Sequence, residues 1–316
     1  MARVFVTGGS GRVGQPLIRH LVDQDHTVVA LARSDAAAAA VRAAGAHDVV
    51  RGDVLDADSM APGVRGADWV LHLAGGVRGP GRTTPDVLNR QGTEALLAAC
   101  AGQPIAKLVL ASSGAVYGDR SNLWIEEDFE PSPNTRYGRS KADAEQLALA
   151  SGLPVVVARI AAVYGRDFPF GMVERMAQDK AWLPGEGRNH VPTVHIDDCV
   201  RALVHLAQVA PAGTIAHVAD RTQPTLGDFY AAVNAAAGGT PVRFWSTYVP
   251  SYVQTWAAQQ NERLQSRMGT TPRVTPDTLK LFTNSVRLRT EVLADLGFSW
   301  VYGDYGEGVR QAYGGP

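Results

Sequence analysis

Two stretches hold residues that could do chemistry together. The run Ala111-Ser112-Ser113-Gly114-Ala115-Val116-Tyr117-Gly118 closes an apolar, strand-like segment, and Tyr137-Gly-Arg-Ser-Lys141 opens the next helical one. Residues four apart share a helix face, so Tyr137 and Lys141 can point together into one cleft. Reducing a carbonyl takes a hydride and a proton for the developing oxyanion. A phenol supplies that proton if its pKa, normally about 10, is lowered towards neutrality. An ammonium about 4 Å away, at an effective dielectric of about 20, contributes about 4 kcal/mol, or about three pKa units, before desolvation opposes it. In this scheme Ser113 holds the carbonyl oxygen and Tyr137 gives or takes the proton. Ser112 ranks second, as a strand-capping Ser. Asn89, in Leu-Asn-Arg-Gln-Gly-Thr, either braces the site by a backbone hydrogen bond or caps a helix.

A hydride needs a donor, and Arg3 to Leu21 reads as the cradle for one. Val4 to Val6 is β-rich, a glycine cluster follows, and Leu17, Ile18 and Leu21 then recur at helical spacing. Gly9-x-Gly11-x-x-Gly14 and Gly8-x-x-Gly11-x-x-Gly14 both fit a dinucleotide fingerprint, so spacing leaves open which glycine makes the first turn. In either case a backbone without Cβ atoms and a helix start approach a pyrophosphate. The second strand, His26 to Ala32, ends in Arg33-Ser34, where an acidic residue would bind ribose hydroxyls and an Arg pairs with a 2'-phosphate. This predicts NADP(H) over NAD(H), with Arg33 and Ser34 as contacts, although Asp35 lies close by.

The elements that must position these groups alternate. Strands are expected at Val49 to Asp53, Asp68 to Gly76, Lys107 to Ala111, Pro154 to Ile160, Val194 to Ile196 and Thr214 to Asp220. Helices are expected at Val87 to Ala101, with Leu88, Leu96 and Leu97 on its apolar stripe, at Thr135 to Ala150 behind Asn134 or Thr135, and at Asp198 to Gln208. A Gly- and Pro-rich loop separates Gly76 from Pro85. Such βα repetition implies an α/β fold with a doubly wound parallel sheet of Rossmann type, binding ligands beyond the carboxyl ends of its strands. After Thr225 helices predominate, with turns at Gly238-Gly239, Gly269 and Gly297. The expected division is a dinucleotide-binding domain of residues 1–165 and 192–220, and a smaller, mainly helical C-terminal substrate lid of residues 166–191 and 221–316.

Thirty basic against thirty-one acidic residues, a formal charge of −1 over 316 residues, and no block of either sign make no case for nucleic acid or a membrane surface. Cys100 and Cys199 lie far apart, in neither disulfide nor zinc spacing. No apolar segment reaches membrane length, and an N-terminus that opens on a strand predicts a soluble, cytoplasmic protein. His195-Ile-Asp-Asp198 lacks a spaced third ligand, so no metal is expected, and Asp197 reads as a helix N-cap. Trp245, Tyr248, Tyr252 and Trp256 form a near-helical stripe, as core or as pocket wall. Phe168, Phe170 and Trp182 are similar candidates. If such aromatics line the cleft, the substrate is apolar or aromatic.

In order along the chain, Thr7-Gly-Gly-Ser-Gly-Arg-Val-Gly14, Gly52-Asp53, His72-Leu-Ala-Gly75, Asn89-x-x-Gly-Thr93, Ser112-Ser113 with Val116-Tyr-Gly118, Tyr137-x-x-x-Lys141 and His195-Ile-Asp-Asp198 resemble the extended short-chain dehydrogenase/reductase family. That resemblance implies a catalytic triad of Ser113, Tyr137 and Lys141, with Tyr137 and Lys141 also at the cofactor and Lys141 on the nicotinamide ribose. Gly8, Gly11, Arg12, Val13 and Gly14 would cradle the cofactor, Asp53 and Val54 would flank its adenine, and Leu73, Ala74 and Gly75 would line it. It also implies a homodimer through the helices near Val87 to Ala101 and Thr135 to Ala150. Two departures stand out. Ala162 replaces the Asn that precedes Val-Tyr-Gly in the nucleotide-sugar branch, and Val191-Pro192-Thr193 replaces its Arg-Asp-Phe run. Both remove polar groups that would grip a sugar nucleotide. Gly185 to His195 and Leu293 to Phe298 are more similar to the dihydroflavonol reductase and hydroxysteroid dehydrogenase branches. Three readings follow: an NADPH-dependent reductase, or the reverse dehydrogenase, for a small carbonyl or alcohol; a nucleotide-sugar epimerase or dehydratase with tightly bound NAD; and a non-catalytic cofactor sensor.

Overall fold

Apolar runs flanked by amphipathic helices dictate the architecture of the computed structural model, which describes residues 1–77, 84–121, 123–166, 182–244, 251–268 and 275–314. In chain order the strands are β1 (Arg3–Thr7), β2 (Thr27–Ala32), β3 (Asp48–Arg51), β4 (Trp69–His72), β5 (Lys107–Ser113), β6 (Trp124–Ile125), β7 (Val155–Ile160), β8 (Ala162–Tyr164), β9 (Trp182–Leu183), β10 (Thr193–His195), β11 (Ile215–Val218), β12 (Arg243–Phe244) and β13 (Arg287–Leu288). Seven of them form one parallel sheet in the order β11-β7-β5-β4-β1-β2-β3. Parallel neighbours cannot be joined by a hairpin, so each connection crosses a face of the sheet and buries it. The crossovers carry α1 (Gly14–Asp23), α2 (Asp35–Ala43), α3 (Ala57–Val64), α4 (Gly92–Cys100) and α5 (Arg136–Leu149).

The two-residue strand period sorts the core into two layers. Val4, Val6, Leu71 and Val109 pack on one face with Leu17, Ile18 and Leu21 of α1. Phe5, Val70, Leu108 and Leu110 pack on the other with Met60, Leu96 and Ala144. The doubly wound sheet expected from the βα alternation is therefore present, with a largely helical C-terminal part. Outside the main sheet, β10 pairs with β8, β12 with β9 and β13 with β6, all parallel. Among the described residues no helix is long and apolar enough to cross a membrane.

Element ends differ from expectation where side chains take over the backbone's partners. β4 stops at His72 rather than running to Gly76: the Leu73 N–H makes the last ladder bond, to the Thr7 carbonyl at 3.1 Å, and the Ala74 N–H goes instead to the Thr7 hydroxyl at 3.3 Å. The helix expected from Val87 begins as a π-helical turn, Asp86–Gln91, and becomes α-helical only in α4. Of the two candidate caps for α5, Thr135 is the one used: its hydroxyl accepts the Gly138 N–H at 3.0 Å, while Asn134 pairs with the Asn284 amide.

The helix Ile196–Val209 corrects another expectation. Its cap is the His195 side chain, which accepts the Asp197 N–H at 3.3 Å, and Asp197 falls within the first turn. The residue that matters for packing is Asp198, fully buried. Its carboxylate accepts the N–H groups of Val301 and Tyr302 at 2.9 and 2.6 Å and meets the Arg201 guanidinium at 2.6 Å. Of the aromatic candidates, Phe168, Phe170, Trp245 and Tyr248 lie outside the described residues, as does the expected turn at Gly269, and the side chain of Tyr252 is not described. Trp256 is 61% exposed, so it is not a core residue, and Trp182 is half-buried beneath the Arg243 guanidinium, 5.4 Å from its ring centre. Asp198→Ala removes the acceptor of two backbone N–H groups and the partner of a partly buried Arg. It should cost about 3 kcal/mol, measured as a lower denaturation midpoint at constant m-value.

Candidate active site

The glycine turn after β1 settles which glycine turns first. Gly8 has φ +73°, and a Cβ there would lie 2.6 Å from the Ala74 nitrogen and from the Leu73 carbonyl carbon. The Gly11 N–H closes the turn on the Gly8 carbonyl at 3.0 Å, and a Cβ on Gly14 would meet that same oxygen at 2.3 Å. Gly8, Gly11 and Gly14 thus let the ends of β1 and β4 and the start of α1 converge. The first turn of α1 has no acidic side chain and no side-chain cap, with Val13 at the cap position and Arg12 exposed beside it. A helix start left free in this way suits an anion, and the cradle fits a cofactor pyrophosphate.

Further along the carboxyl edge, Gly75 passes close to the chemistry. A Cβ built there would lie 2.4 Å from Asn89 Oδ1 and 3.2 Å from Lys141 Nζ. The Asn89 amide accepts the Gly76 N–H at 2.9 Å and donates to the Gly76 carbonyl and to Ser140 Oγ, each at 2.9 Å. Of its two sequence readings the brace is the one observed, and the π-helical turn aims it. Ser140 in turn donates to the Tyr137 carbonyl at 2.9 Å, so Asn89 ties the loop after β4 to the first turns of α5.

The end of β5 gathers the three predicted residues: Ser113 closes the strand with the Tyr137 phenol beside it, and Lys141 reaches the Ala111 carbonyl two residues earlier. The Ser113 hydroxyl lies near enough to the Tyr137 phenol to influence its titration, and it accepts the Ala115 N–H at 3.2 Å. Lys141 is 7% exposed and donates from Nζ to the Ala111 carbonyl at 2.7 Å. Burial brings its pKa down to about 8, opposed by the negative charge of Glu145. The expected lowering of the phenol is not what this geometry produces. Burial pushes Tyr137 up, with the neighbouring Ser113 hydroxyl as the opposing influence, because the phenolate would lose more hydration than its neighbours return. Tyr137 is therefore held in its acid form. His72 is buried between Thr7 at 2.6 Å and Thr93 at 3.1 Å, and desolvation, then the Lys141 charge, push its pKa down to about 3.

Ser112, the second choice, faces away from this group and donates to the Glu145 carboxylate. Glu145 and Arg159 form a pair with side chains 4% and 3% exposed and a closest approach of 2.8 Å. This pair was not singled out from the sequence. The spacing Lys141-x-x-x-Glu145 was the available signal, and its arginine partner on β7 was not.

At the other end of the cradle, Arg33 and Ser34 are exposed at the tip of β2, and Ser34 also caps α2 by accepting the Ala37 N–H at 3.2 Å. Arg51, the ladder partner of Ala32, pairs with the exposed Asp35 carboxylate at 2.8 Å, so a second cation faces the acidic neighbour of Arg33. Arg51 too went unnoticed in the sequence, because only strand pairing brings it beside Arg33. Asp53 accepts the Leu55 N–H at 3.1 Å, and Val54 is buried against Gly92.

The chain belongs to the NAD dependent epimerase/dehydratase family, whose sequence pattern matches residues 4–219. It is 31% identical over 240 residues to a 4-hydroxy-2-methyl-3-oxo-4-farnesyl-3,4-dihydroquinoline-1-oxide ketoreductase of Stigmatella aurantiaca, covering 72% of this chain and 71% of that one. It is 32% identical over 234 residues to a UDP-glucose 4-epimerase of Streptomyces lividans, covering 68% and 71%. UDP-glucuronic acid 4-epimerase from Bacillus cereus, solved in complex with NAD, shares the fold with a TM-score of 0.76 at 20% identity, over 98% of this chain and 95% of that one. The family holds reductases alongside epimerases and dehydratases. Asn89→Ala removes two hydrogen bonds to the loop after β4 and one to α5, and should cost about 2–3 kcal/mol in denaturant unfolding while weakening binding of a nicotinamide cofactor in titration calorimetry.

Proposed function

We propose that the protein is an NADP(H)-dependent oxidoreductase that interconverts a carbonyl and an alcohol on a small, apolar or aromatic molecule. The observation that carries this reading is the convergence of Ser113, Tyr137 and Lys141 on one strand end beside Gly75. A bound nicotinamide supplies the hydride or takes it back. The chain's residues do the rest. The Ser113 hydroxyl donates to the carbonyl oxygen and fixes its position, and Tyr137 passes its phenolic proton to that oxygen as the carbon is reduced. Lys141 supports the resulting phenolate with its charge and its bond to the Ala111 carbonyl. A phenol held in its acid form suits the reducing direction. Residues 166–191 and 221–316 serve as the lid over residues 1–165 and 192–220.

The departures from the nucleotide-sugar pattern favour a reductase over an epimerase. Ala162 offers no side-chain donor and Pro192 no N–H, and the backbone between them is consumed by the Ala162 N–H to Pro192 carbonyl bond at 2.9 Å. The Thr193 hydroxyl is spent on the Asp220 carboxylate at 2.9 Å. For the cofactor, Arg33 and Arg51 against Asp35 leave the tip of β2 net positive, which suits a 2'-phosphate.

The test pairs binding with turnover. NADPH should bind more tightly than NADH, and Arg33→Ala should reduce that preference about tenfold or more, read by fluorescence titration of both. Equal affinities in the unmodified protein would remove NADP(H) from the reading. Across a panel of aryl ketones and aldehydes, Tyr137→Phe should lower NADPH consumption by about a hundredfold or more. Retention of NAD through purification, with sugar-nucleotide epimerisation and no net consumption, would overturn the reductase. The reductive rate should hold from pH 6 to 7.5 and fall as pH rises through about 8, where Lys141 loses its proton and the phenolate its support.

A further inference from the structure

Glu145 is a buried carboxylate that the scheme above leaves without work. It lies one helical turn beyond Lys141 on α5, so its side chain follows that of Lys141 along the same face. Three contacts from the Arg159 guanidinium hold it, Nη2 at 2.8 Å and Nε at 3.2 Å to each oxygen, and the Ser112 hydroxyl donates to it as well. The arginine is locked in turn. Its Nη1 donates to the Tyr117 hydroxyl at 2.5 Å and to the Glu127 carbonyl at 3.1 Å. Tyr117 donates to His217 Nε2 at 2.6 Å, and the opposite ring nitrogen of His217 meets the Arg289 carbonyl at 2.6 Å. A buried ion pair is weak evidence of stabilisation, since apolar residues of similar volume often do as well. Its place beside the catalytic lysine is what calls for an account.

Each neighbour of Lys141 either withholds compensation for its charge or supplies it. From β4, His72 is neutral. From β5, the Ala111 carbonyl accepts one hydrogen bond. Asn89 approaches from the π-helical turn across Gly75. Tyr137, a turn earlier on α5, is protonated, and Arg159 of β7 is positive but stands behind Glu145. Glu145 is the one full negative charge in this shell of described residues. We propose that Glu145 is a positioning residue for the reaction: pinned by Arg159 and Ser112 one turn beyond Lys141, it keeps the Lys141 ammonium charged at the floor of the Tyr137 site. Arg159 then orients the carboxylate, and Ser112 links it to the strand that carries Ser113. The inference rests on the proposed reduction for its catalytic consequence, but not for its effect on Lys141.

The experiment uses the full chain. Profiles of kcat/KM against pH with NADPH and an aryl ketone are measured for the unmodified protein, Glu145→Gln, Glu145→Asp and the double variant Glu145→Gln with Arg159→Met. Lys141 is followed directly by NMR of 13Cε-labelled lysine, of which the chain has four, assigned with Lys141→Arg. Glu145→Gln should move both the alkaline limb and the Lys141 titration midpoint down by about one pH unit or more, a charge at that spacing being worth at least this much in a poorly hydrated site. At pH 6 the rate should stay within about threefold of the unmodified protein, while at pH 8.5 it should fall about tenfold. Glu145→Asp should recover part of the shift. An equal loss at every pH with an unmoved Lys141 midpoint would make Glu145 structural only and overturn the proposal. Should the single variant not fold, the double variant carries the test, because a neutral pair fills the same space. Its Lys141 midpoint should also fall, and an unmoved one overturns the proposal. If no carbonyl is reduced by any form, the reductase reading fails, while the NMR midpoint still decides the role of Glu145.

Discussion

An ammonium group taken out of water is the constraint around which the rest of this molecule is arranged. Lys141 is buried where β5 ends, and a buried cation keeps its proton only if hydrogen bonds and negative charge are brought to it. Much of the surrounding structure can be read as that delivery. β5 ends so that the Ala111 carbonyl faces Nζ. α5 is capped by Thr135 so that its second and third turns present Lys141 and Glu145 in succession. The loop after β4 comes close enough that only glycine fits between Asn89 and Nζ. The parallel sheet makes this possible, because its carboxyl edge gathers loop ends from strands far apart in the chain.

The same arrangement explains how one family serves several chemistries. The cofactor cradle, the brace at Asn89 and the hydroxyl–phenol–ammonium group belong to the sheet and its crossovers, which the matched residues 4–219 span. On β8 and β10, outside the main sheet, the Ala162 N–H and the Thr193 hydroxyl bond inside the protein. A ketoreductase and a sugar epimerase are both similar to this chain, at 31% and 32% identity, so the shared sequence pattern does not by itself fix the reaction.

What could be read in the sequence was what is encoded locally. The strand–glycine–helix start, the four-residue step from Tyr137 to Lys141, and the alternation of apolar runs with amphipathic ones each declare themselves within about twenty residues, and each appears in the structure. Spacing could not choose between Gly8 and Gly9, because the choice depends on how closely β4 passes. Nor could it show that Arg51 sits beside Arg33, that Arg159 holds Glu145, or that His195 rather than Asp197 caps its helix. These are decided by strand register and by contacts across the sheet. The direction in which Tyr137 moves was misjudged for a related reason: a charge pair is legible in one dimension, and burial is not.

The Asp198 clamp and the pairing of β13 with β6 carry a consequence for biosynthesis. Asp198 is satisfied by backbone groups 103 and 104 residues later in the chain, and Asp119 accepts the N–H of Ser285, 166 residues later. A ribosome making this protein releases the whole parallel sheet well before the segments whose N–H groups bond these carboxylates emerge. Until residues near 300 leave the exit tunnel, Asp198 lacks its two backbone partners and β6 lacks β13, so these parts of the fold can close only at the last stage of synthesis.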